Sequence, residues 1–262
     1  MISVGLQNIG LVAQGINDWQ EAVILLRGEQ EYSGGDLQAL KPSMLKPNER
    51  RRTTKTIKIA LQVAEEALRD YSDAEGLLSV FSSSEGDLDI IDQICLALSQ
   101  EDRPVSPTQF HNSVHNAPAG YWSIGSGSRQ GSTSLGGLDG GFAAGLLEAA
   151  VQCAVERRRV LMVSYDQPPP PLLEPYMPIS APFSVALLLT PEADDAISKL
   201  NIELSSDGEE RRMTSPAMEK LRSSAPAARS LPLLEMISRE KQAKIILPYL
   251  PGLNLQVETA PC

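Results

Sequence analysis

Residues 132–150, STSLGGLDGGFAAGLLEAA, combine a short strand pattern, a glycine-rich bend and an amphipathic helix pattern. Many enzymes present a nucleophile on such a bend, because the sharp turn holds one side chain clear of the sheet. This bend has no Cys or Ser: Asp139 stands between Leu138 and Gly140. An aspartate at a helix N-terminus is favoured by the helix dipole and can accept bonds from free amides, so the pattern predicts a capping role for Asp139.

A glycine-rich loop and a serine near it do not form a recognisable site. Residues 125–131, GSGSRQG, have neither the glycine spacing of a dinucleotide fingerprint nor the Lys-Ser/Thr of a Walker loop. Ser123 could be sought as a hydrolase nucleophile, but Tyr121 occupies the position two residues before it where that elbow needs glycine. We therefore expect no nucleotide cofactor and no hydrolase elbow here.

The histidines are confined to one stretch of the chain. His111 and His115 are the only two, and their spacing of four would suit two metal ligands on one helical face. Asn112, Asn116 and Pro118 argue against a helix there. We expect structural hydrogen-bonding roles for both histidines, and no metal or other cofactor.

Composition narrows the class of protein. The 262 residues are 42% hydrophobic and carry a formal charge of −10, which disfavours nucleic acid and anionic membrane surfaces as partners. The N-terminus lacks the features of a signal peptide, and no apolar run approaches the roughly 20 residues of a membrane span. Cys95, Cys153 and Cys262 have no metal-ligand spacing, so we expect no disulfide and a cytoplasmic location.

Strand and helix patterns interleave along the chain, which predicts an α/β fold. A helix over 141–157 followed at once by an apolar run predicts a crossover to a neighbouring parallel strand. Residues 205–230 are polar, and we expect them to be mobile. The predicted strands are residues 2–13, 76–84, 160–166 and 182–190, with a closing strand near 252–258, and the other predicted helices start near Trp19, Thr54, Leu88 and Leu231; residues 193–206 are predicted to hold a short helix and a strand.

Five short motifs occur in the order in which β-ketoacyl synthases have them. They are IGLVA (9–13), PNERRR (47–52), VFSSSEG (80–86), SVHNAPAG (113–120) and the strand, bend and helix of 132–150. The chain therefore resembles these synthases over about residues 1–166, and it looks closest to the short synthase-like proteins of aryl-polyene and related type II polyketide systems.

The resemblance implies a thiolase-like, layered α/β/α fold. Residues 1–170 would be the complete synthase-like N-terminal half. Residues 171–262 would be a truncated remnant of the second half, with residues 182–192 matching its first strand and 252–258 its last.

The resemblance also implies that catalytic residues are missing. The synthase cysteine would fall at about Asp139, within one residue. The family places its two catalytic histidines in the second half, whereas this chain has no histidine after His115. Since the reaction needs a thiolate and groups that stabilise developing negative charge, the resemblance implies a non-catalytic chain length factor that pairs with an active synthase.

The expected partner is therefore a β-ketoacyl synthase, with a homodimer as the fallback when it is absent. Thiolase-fold subunits pair through the strand before the elbow, and residues 113–121 would back that surface. An acidic acyl-carrier protein would be repelled by a chain of charge −10 and would bind through the partner. The predicted interface consists of Thr133, Ser134, Leu135, Gly136, Gly137, Leu138, Gly140 and Gly141.

A second hypothesis stays open: a degenerate enzyme that uses Asp139 as an acid or a base. The non-catalytic hypothesis is favoured because no histidine or lysine lies close to Asp139 in sequence to tune it.

Overall fold

The computed structural model describes residues 1–191 and 195–262. Its strands form one eight-stranded sheet in the order β3-β2-β4-β5-β1-β6-β8-β7. The strands are β1 Ile2–Ala13, β2 Leu78–Ser83, β3 Ser132–Gly136, β4 Val160–Asp166, β5 Phe183–Thr190, β6 Ser198–Ser205, β7 Ala243–Leu250 and β8 Leu253–Pro261. The α-helices are α1 Trp19–Arg27, α2 Pro47–Arg52, α3 Lys55–Ala67, α4 Leu88–Leu98, α5 Pro107–Asn112, α6 Ala117–Ser126, α7 Gly141–Glu156, α8 Pro216–Arg222 and α9 Leu231–Ser238, and three short 3₁₀ helices span Ala74–Gly76, Leu138–Gly140 and Pro226–Ser230.

The sheet is mixed. Strand β2 runs parallel to both β3 and β4, and the other neighbouring strands run antiparallel. Helix α7 thus connects two parallel strands as predicted, but β4 is separated from β3 by β2 rather than placed beside it. The elbow strand β3 therefore lies at one end of the sheet.

Helix ends follow the local signals in the sequence. Asp18 caps α1 by accepting a bond from the Glu21 amide at 2.9 Å, and Gly28 ends that helix at φ 76°. Thr54 caps α3 through the Ile57 amide. The helix starts predicted near Trp19 and Thr54 are confirmed.

Helices cover both faces of the sheet, which gives the layered α/β/α arrangement. Residues alternate along β4: Val160 and Met162 join the core beneath α7, and Leu161 and Val163 join the core beneath α3 and α6. Every residue of β4 and β5 is buried, because both central strands are covered on two sides. The layered α/β/α arrangement expected from the resemblance is confirmed.

The sheet runs across the boundary predicted near residue 170. Strand β5 follows that boundary in the chain but lies between β4 and β1, which precede it. The regions 1–170 and 171–262 are therefore not separate packing units in this structure. Their assignment to two ancestral halves stays a prediction.

The C-terminal region differs from its prediction in two places. Residues 205–230, expected to be polar and mobile, contain α8 and a 3₁₀ helix and bury Met218, Leu221 and Ala227. The segment is ordered because apolar side chains spaced among the polar ones pack into the core. Residues 243–261 form the antiparallel hairpin of β7 and β8 rather than a turn and a single strand. Part of the short helix predicted within 193–206 lies outside the described residues, whereas the strand predicted there is β6.

Helix α7 is the core helix of the fold. Contrary to the expectation that no apolar run approaches the length of a membrane span, residues Leu138–Glu156 are long and apolar enough to cross a membrane by length and composition, and half of them are buried inside the protein. The helix contacts β4, β2 and β1. Its apolar character is therefore explained by its place beneath the sheet.

Candidate functional site

The elbow joins β3 to α7 through the 3₁₀ turn Leu138–Gly140. Leu138 adopts φ 45°, in the left-handed region that bulky side chains rarely occupy. Its side chain projects from the turn and is 65% exposed. The turn therefore presents Leu138 in the strained manner in which enzymes present a nucleophile.

Close contacts hold the elbow in place. The Gly137 amide donates to the Ser83 carbonyl at 3.1 Å, and the Ser82 hydroxyl donates to the Gly141 carbonyl. A Cβ atom at Gly140 would lie 2.1 Å from the Tyr249 carbonyl oxygen of β7. The C-terminal hairpin thus approaches so closely that only glycine fits at residue 140.

Asp139 does not cap α7. The helix and the preceding 3₁₀ turn have no side-chain cap bond, and the Asp139 side chain is 85% exposed. Its carboxylate contacts the Arg229 guanidinium at 3.5 Å instead. The predicted capping role is therefore wrong, because the side chain turns outward to a cation that lies 90 residues later in the chain.

Arg229 belongs to a chain of alternating charges. It pairs with Glu210 at 3.3 Å, and Glu210 also binds Arg222. Arg222 is buried and reaches Glu219 at 2.7 Å. These ion pairs link Glu210, Glu219, Arg222 and Arg229 to one another, and Arg229 also contacts the elbow through Asp139.

A cleft of about 280 Å³ opens beside the elbow. Its lining is mainly apolar, with Glu85, Asp139 and Arg229 as the charged groups. The lining comes from the elbow (Leu138, Asp139), the end of β2 (Ser84, Glu85), residues 176–179, and a wall made by Ser223, Ala225, Pro226 and Arg229.

Asp166 lies buried at the end of β4. Its carboxylate accepts hydrogen bonds from the Ser84 amide at 2.9 Å, the Ser84 hydroxyl at 2.7 Å and the Ala227 amide at 2.7 Å. Burial raises the pKa of Asp166 to about 6, against the lowering effect of these bonds. The sequence offered no signal for this group beyond an acidic residue at the end of an apolar strand.

The two histidines have different surroundings. His111 lies in the short helix α5, although no helix was predicted around it. Its ring is perpendicular to that of Tyr121, with the two ring centroids 6.3 Å apart. His115 lies in the turn before α6, with its ring near Gly86 and Gly136. Its buried Nε2 has no hydrogen-bond partner in the described part of the chain, so the expected bond is not seen at this atom. Across residues 1–191 and 195–262, no group of three His, Cys, Asp or Glu side chains could hold a metal ion.

The cysteines do not supply a nucleophile to the elbow. Cys153 lies on α7 and is fully buried, and burial raises the pKa of its thiol to about 12. Cys95 and Cys262 are exposed. Cys95 belongs to α4 and Cys262 ends the chain, so neither is part of the turn.

The predicted interface residues divide into two groups. Within the described residues β3 pairs with β2 alone, so one edge of Ser132–Gly136 is open. A groove beside it is lined by Ser132 and Ser134 of β3 and by Ala119 and Gly120 of α6. Thr133, Ser134 and Leu135 are half-buried, and Gly136 and Leu138 are exposed; Gly137 is half-buried, whereas Gly140 and Gly141 are buried within the chain and offer no surface to a partner.

Solved structures with the same architecture include synthase complexes. The ketosynthase ApeO in complex with its chain length factor ApeC from Xenorhabdus doucetiae matches with a TM-score of 0.75 and 22% identity, over 99% of this chain and 100% of the other. The ishigamide ketosynthase/chain length factor matches with a TM-score of 0.75 and 12% identity, over 100% and 99%. A β-ketoacyl synthase from Burkholderia phymatum STM815 matches with a TM-score of 0.73 and 14% identity, over 100% of both chains. At these identities the likeness concerns the fold.

Sequence comparison identifies the family. No curated protein matches the chain. The profile described as "Beta-ketoacyl synthase, N-terminal domain" matches residues 24–247, which include the elbow, both faces of the sheet and most of the C-terminal region. The chain belongs to the β-ketoacyl synthase N-terminal domain family.

Proposed function

We propose that this chain is a non-catalytic, chain length factor-like subunit that pairs with an active β-ketoacyl synthase in polyene, polyketide or fatty-acid-type chain elongation. The observation that carries the proposal is an elbow that keeps its shape but holds Leu138 and Asp139. Neither side chain can form the thioester through which a synthase accepts its acyl chain. The chain also has no histidine after His115 to assist decarboxylation.

Leu138 is the better candidate for the position of the missing cysteine. It has the positive φ of a strained elbow residue, whereas Asp139 follows it in the 3₁₀ turn. The resemblance places the synthase cysteine at Asp139 within one residue, and Leu138 lies inside that margin. Either assignment leaves the turn without a nucleophile.

The open edge of β3 supports pairing through this strand. Unpaired backbone groups on an edge strand can bond to a strand of another subunit, which continues the sheet across the interface. The adjoining groove with Ala119 and Gly120 would let a partner approach closely. The neighbours ApeO/ApeC and the ishigamide pair are named as ketosynthase and chain length factor together, which agrees with a heterodimer.

The partner would carry the remaining functions. We propose that it supplies the catalytic residues and most of the docking surface for an acyl-carrier protein, because the charge of −10 opposes an acidic carrier at long range. A cytoplasmic location fits this role. Aryl-polyene synthesis is the pathway that the motif resemblance favours.

The second candidate is an enzyme that uses Asp139 as an acid or a base. One observation favours it: Arg229, which no sequence pattern placed near the elbow, lies 3.5 Å from the carboxylate beside a cleft. Asp139 is 85% exposed, however, whereas catalytic acids and bases usually lie in partly buried sites that exclude water.

Acyl loading tests whether the elbow lacks a nucleophile, and turnover by the isolated chain distinguishes the two candidates. The isolated chain is mixed with an acyl-carrier protein carrying an acyl thioester, or with cerulenin, and its intact mass is measured. We expect no stoichiometric adduct at the elbow. Peptide mapping separates labelling of exposed Cys95 or Cys262, which is incidental thiol chemistry, from labelling of residues 138–139. Stoichiometric modification of the elbow, or turnover by the isolated chain, would contradict the proposal.

A further inference from the structure

Helix α4 is apolar but contributes little to the core. Its sequence, LDIIDQICLAL, has two aspartates and one glutamine as its only polar residues. Ile90 and Ala97 are its buried residues, and within the described residues neither belongs to the two hydrophobic clusters of the core. Surface helices usually turn their apolar residues towards the core. The packing of the chain therefore does not account for the apolar character of α4.

The exposed apolar side chains of α4 lie on more than one side of the helix. Leu96 is 56% exposed and Leu98 is 52% exposed. At 3.6 residues per turn, two residues that are two positions apart point in nearly opposite directions. A helix that is apolar on nearly all sides is typical of a buried environment. Both flanks of α4 are thus suited to burial against another protein.

Helix α5 holds α4 at the surface of the molecule. The buried side chain of Asn112, in α5, donates to the Arg52 carbonyl at 2.7 Å and accepts from the Tyr121 hydroxyl at 3.1 Å. The Gln109 side chain of α5 donates to the Gln93 side chain of α4. Helix α4 packs on α5, which is fixed in turn to the end of α2 and to α6. We call α4 and α5 together the arm.

The arm adjoins the predicted interface. Val114 follows α5 and is 53% exposed, and Asn116, two residues later, lines the groove beside β3. Phe110 of α5 is 67% exposed. Exposed apolar side chains therefore extend from the edge of the groove to the arm.

The pairing through β3 is too small for a permanent interface by itself. This strand has five residues, three of which are already half-buried within the chain. A permanent complex buries more than about 2,000 Å² in total, which takes about 20 or more residues on each side. Such interfaces bury apolar side chains at their centre. The exposed apolar residues of the arm provide surface of this kind beside β3.

Charge separates a synthase from a second copy of this chain as the occupant. Asp89 and Asp92 are the charged residues of α4, and α5 has neither Lys nor Arg. Lys55 is close enough to Asp89 to stabilise its charge, but neither aspartate forms an ion pair within the described part of the chain. An apolar helix edged by carboxylates complements a groove edged by cations. A second copy has a net charge of −10, which opposes this approach.

We propose that the arm is a second docking surface for the partner synthase: the apolar flanks of α4 insert into an apolar groove of that subunit, and Lys or Arg side chains line the rim of the groove. The inference rests on the proposed function, because it names a surface through which that pairing would occur. The arm enlarges the contact that begins at β3. It also favours the synthase over a second copy of this chain.

The dissociation constant of the heterodimer tests the arm. The chain is co-expressed with a β-ketoacyl synthase from the same organism, and the purified complex is diluted and analysed by mass photometry. We expect the double variant Leu96→Gln/Leu98→Gln to raise Kd at least about 10-fold, because it places polar groups at the centre of the contact. The matched control is Leu204→Gln, which changes a leucine of β6 that is 50% exposed. Its Kd should equal that of the wild-type chain.

Hydrogen exchange of the wild-type chain gives a second readout that needs no variant. Exchange is followed by mass spectrometry in the isolated chain and in the heterodimer. We expect peptides from α4 to exchange more slowly in the heterodimer, because its exposed flanks become buried. Circular dichroism and thermal unfolding establish that the double variant folds, and the exchange data decide the question if it does not.

The outcomes separate the arm from the proposed function. A wild-type chain that forms no complex with the synthase would overturn both. A wild-type heterodimer whose double variant binds as tightly as Leu204→Gln would overturn the arm alone, and so would unchanged exchange in α4. Equal weakening of a homodimer of this chain by the double variant would overturn the preference for the synthase.

Discussion

Asp139 is the residue on which the two functional hypotheses differ most. Its exposed contact with Arg229 contributes little, since surface ion pairs stabilise proteins by about 0–1 kcal/mol. We expect Asp139→Asn to change the free energy of unfolding by less than about 1 kcal/mol and to leave the activity of the assembled complex unchanged. Chemical denaturation and chain-elongation assays measure the two effects.

The matched control for this prediction is Glu101→Gln, which removes an exposed carboxylate in the turn after α4. Both variants should behave alike in both assays. Loss of activity in Asp139→Asn with assembly intact, and not in the control, would mean that Asp139 takes part in the reaction.

Asp166 predicts a pH-dependent stability. Its pKa is higher in the folded chain, at about 6, than the usual 3.8, so folding binds a proton in this window. The contribution of Asp166 to the free energy of unfolding should therefore fall as pH rises from about 4 to about 6, by on the order of 3 kcal/mol. Denaturation of the wild-type chain and Asp166→Asn at several pH values isolates this group, because other titrations cancel in the difference. A wild-type chain whose free energy of unfolding rises with pH relative to that of Asp166→Asn would show that the sign is wrong.

At the scale of elements, the elbow helix α7 depends on close contacts made by glycine. Gly141 and Ala144 are small residues near the start of this helix, but a Cβ at Gly141 would meet its neighbours at an ordinary 3.5 Å and Ala144 is half-buried. The tight contact is at Gly145, where a Cβ would lie 2.8 Å from Ser82 Cβ and Met162 Cε. Helical spacing alone does not tell which small residue faces the sheet most closely.

We expect Gly145→Leu to destabilise the fold by at least about 1–3 kcal/mol, the usual cost of overpacking a core. Ala144→Leu, on the same helix one residue earlier, should cost less because its side chain is half-buried. Thermal and urea unfolding of the two variants measure the difference. Equal destabilisation, or a larger loss in Ala144→Leu, would contradict the contact at Gly145.

Elements with strong local signals could be predicted from the sequence. The α3 helix shows its apolar face and its Thr54 cap directly, and β4 and β5 are apolar runs of strand length. The surroundings of the elbow could not be predicted, because Arg229 and Tyr249 reach it from about 90 and 110 residues further along the chain. The order of the 205–230 region also depends on tertiary burial, which polar composition conceals.

At the scale of the whole molecule, the chain without its partner should expose the open edge of β3 and the adjoining groove. An unpaired edge and apolar side chains such as Leu138 favour self-association. We expect the isolated chain to form a homodimer through β3 or to aggregate. Light scattering of the purified chain measures this, and a stable monomer over a wide concentration range would contradict it.

The central claim is that this chain pairs with an active β-ketoacyl synthase through β3. Leu135 lies half-buried in β3 at one end of the sheet, and Leu250 lies exposed in β7 at the other end. Leu135 also packs against the main hydrophobic core, so circular dichroism and thermal unfolding first establish that Leu135→Arg folds, and Leu250→Arg controls for a new charge on an edge strand. An interface of this kind should be permanent and bury more than about 2,000 Å² in total.

The most direct measurement is co-expression with a β-ketoacyl synthase from the same organism, followed by size-exclusion chromatography with light scattering. We predict a stable heterodimer for the wild-type chain and for Leu250→Arg, and loss of that heterodimer for Leu135→Arg. A wild-type chain that elutes separately from the synthase, or a heterodimer that forms equally well with a folded Leu135→Arg chain, would contradict the account.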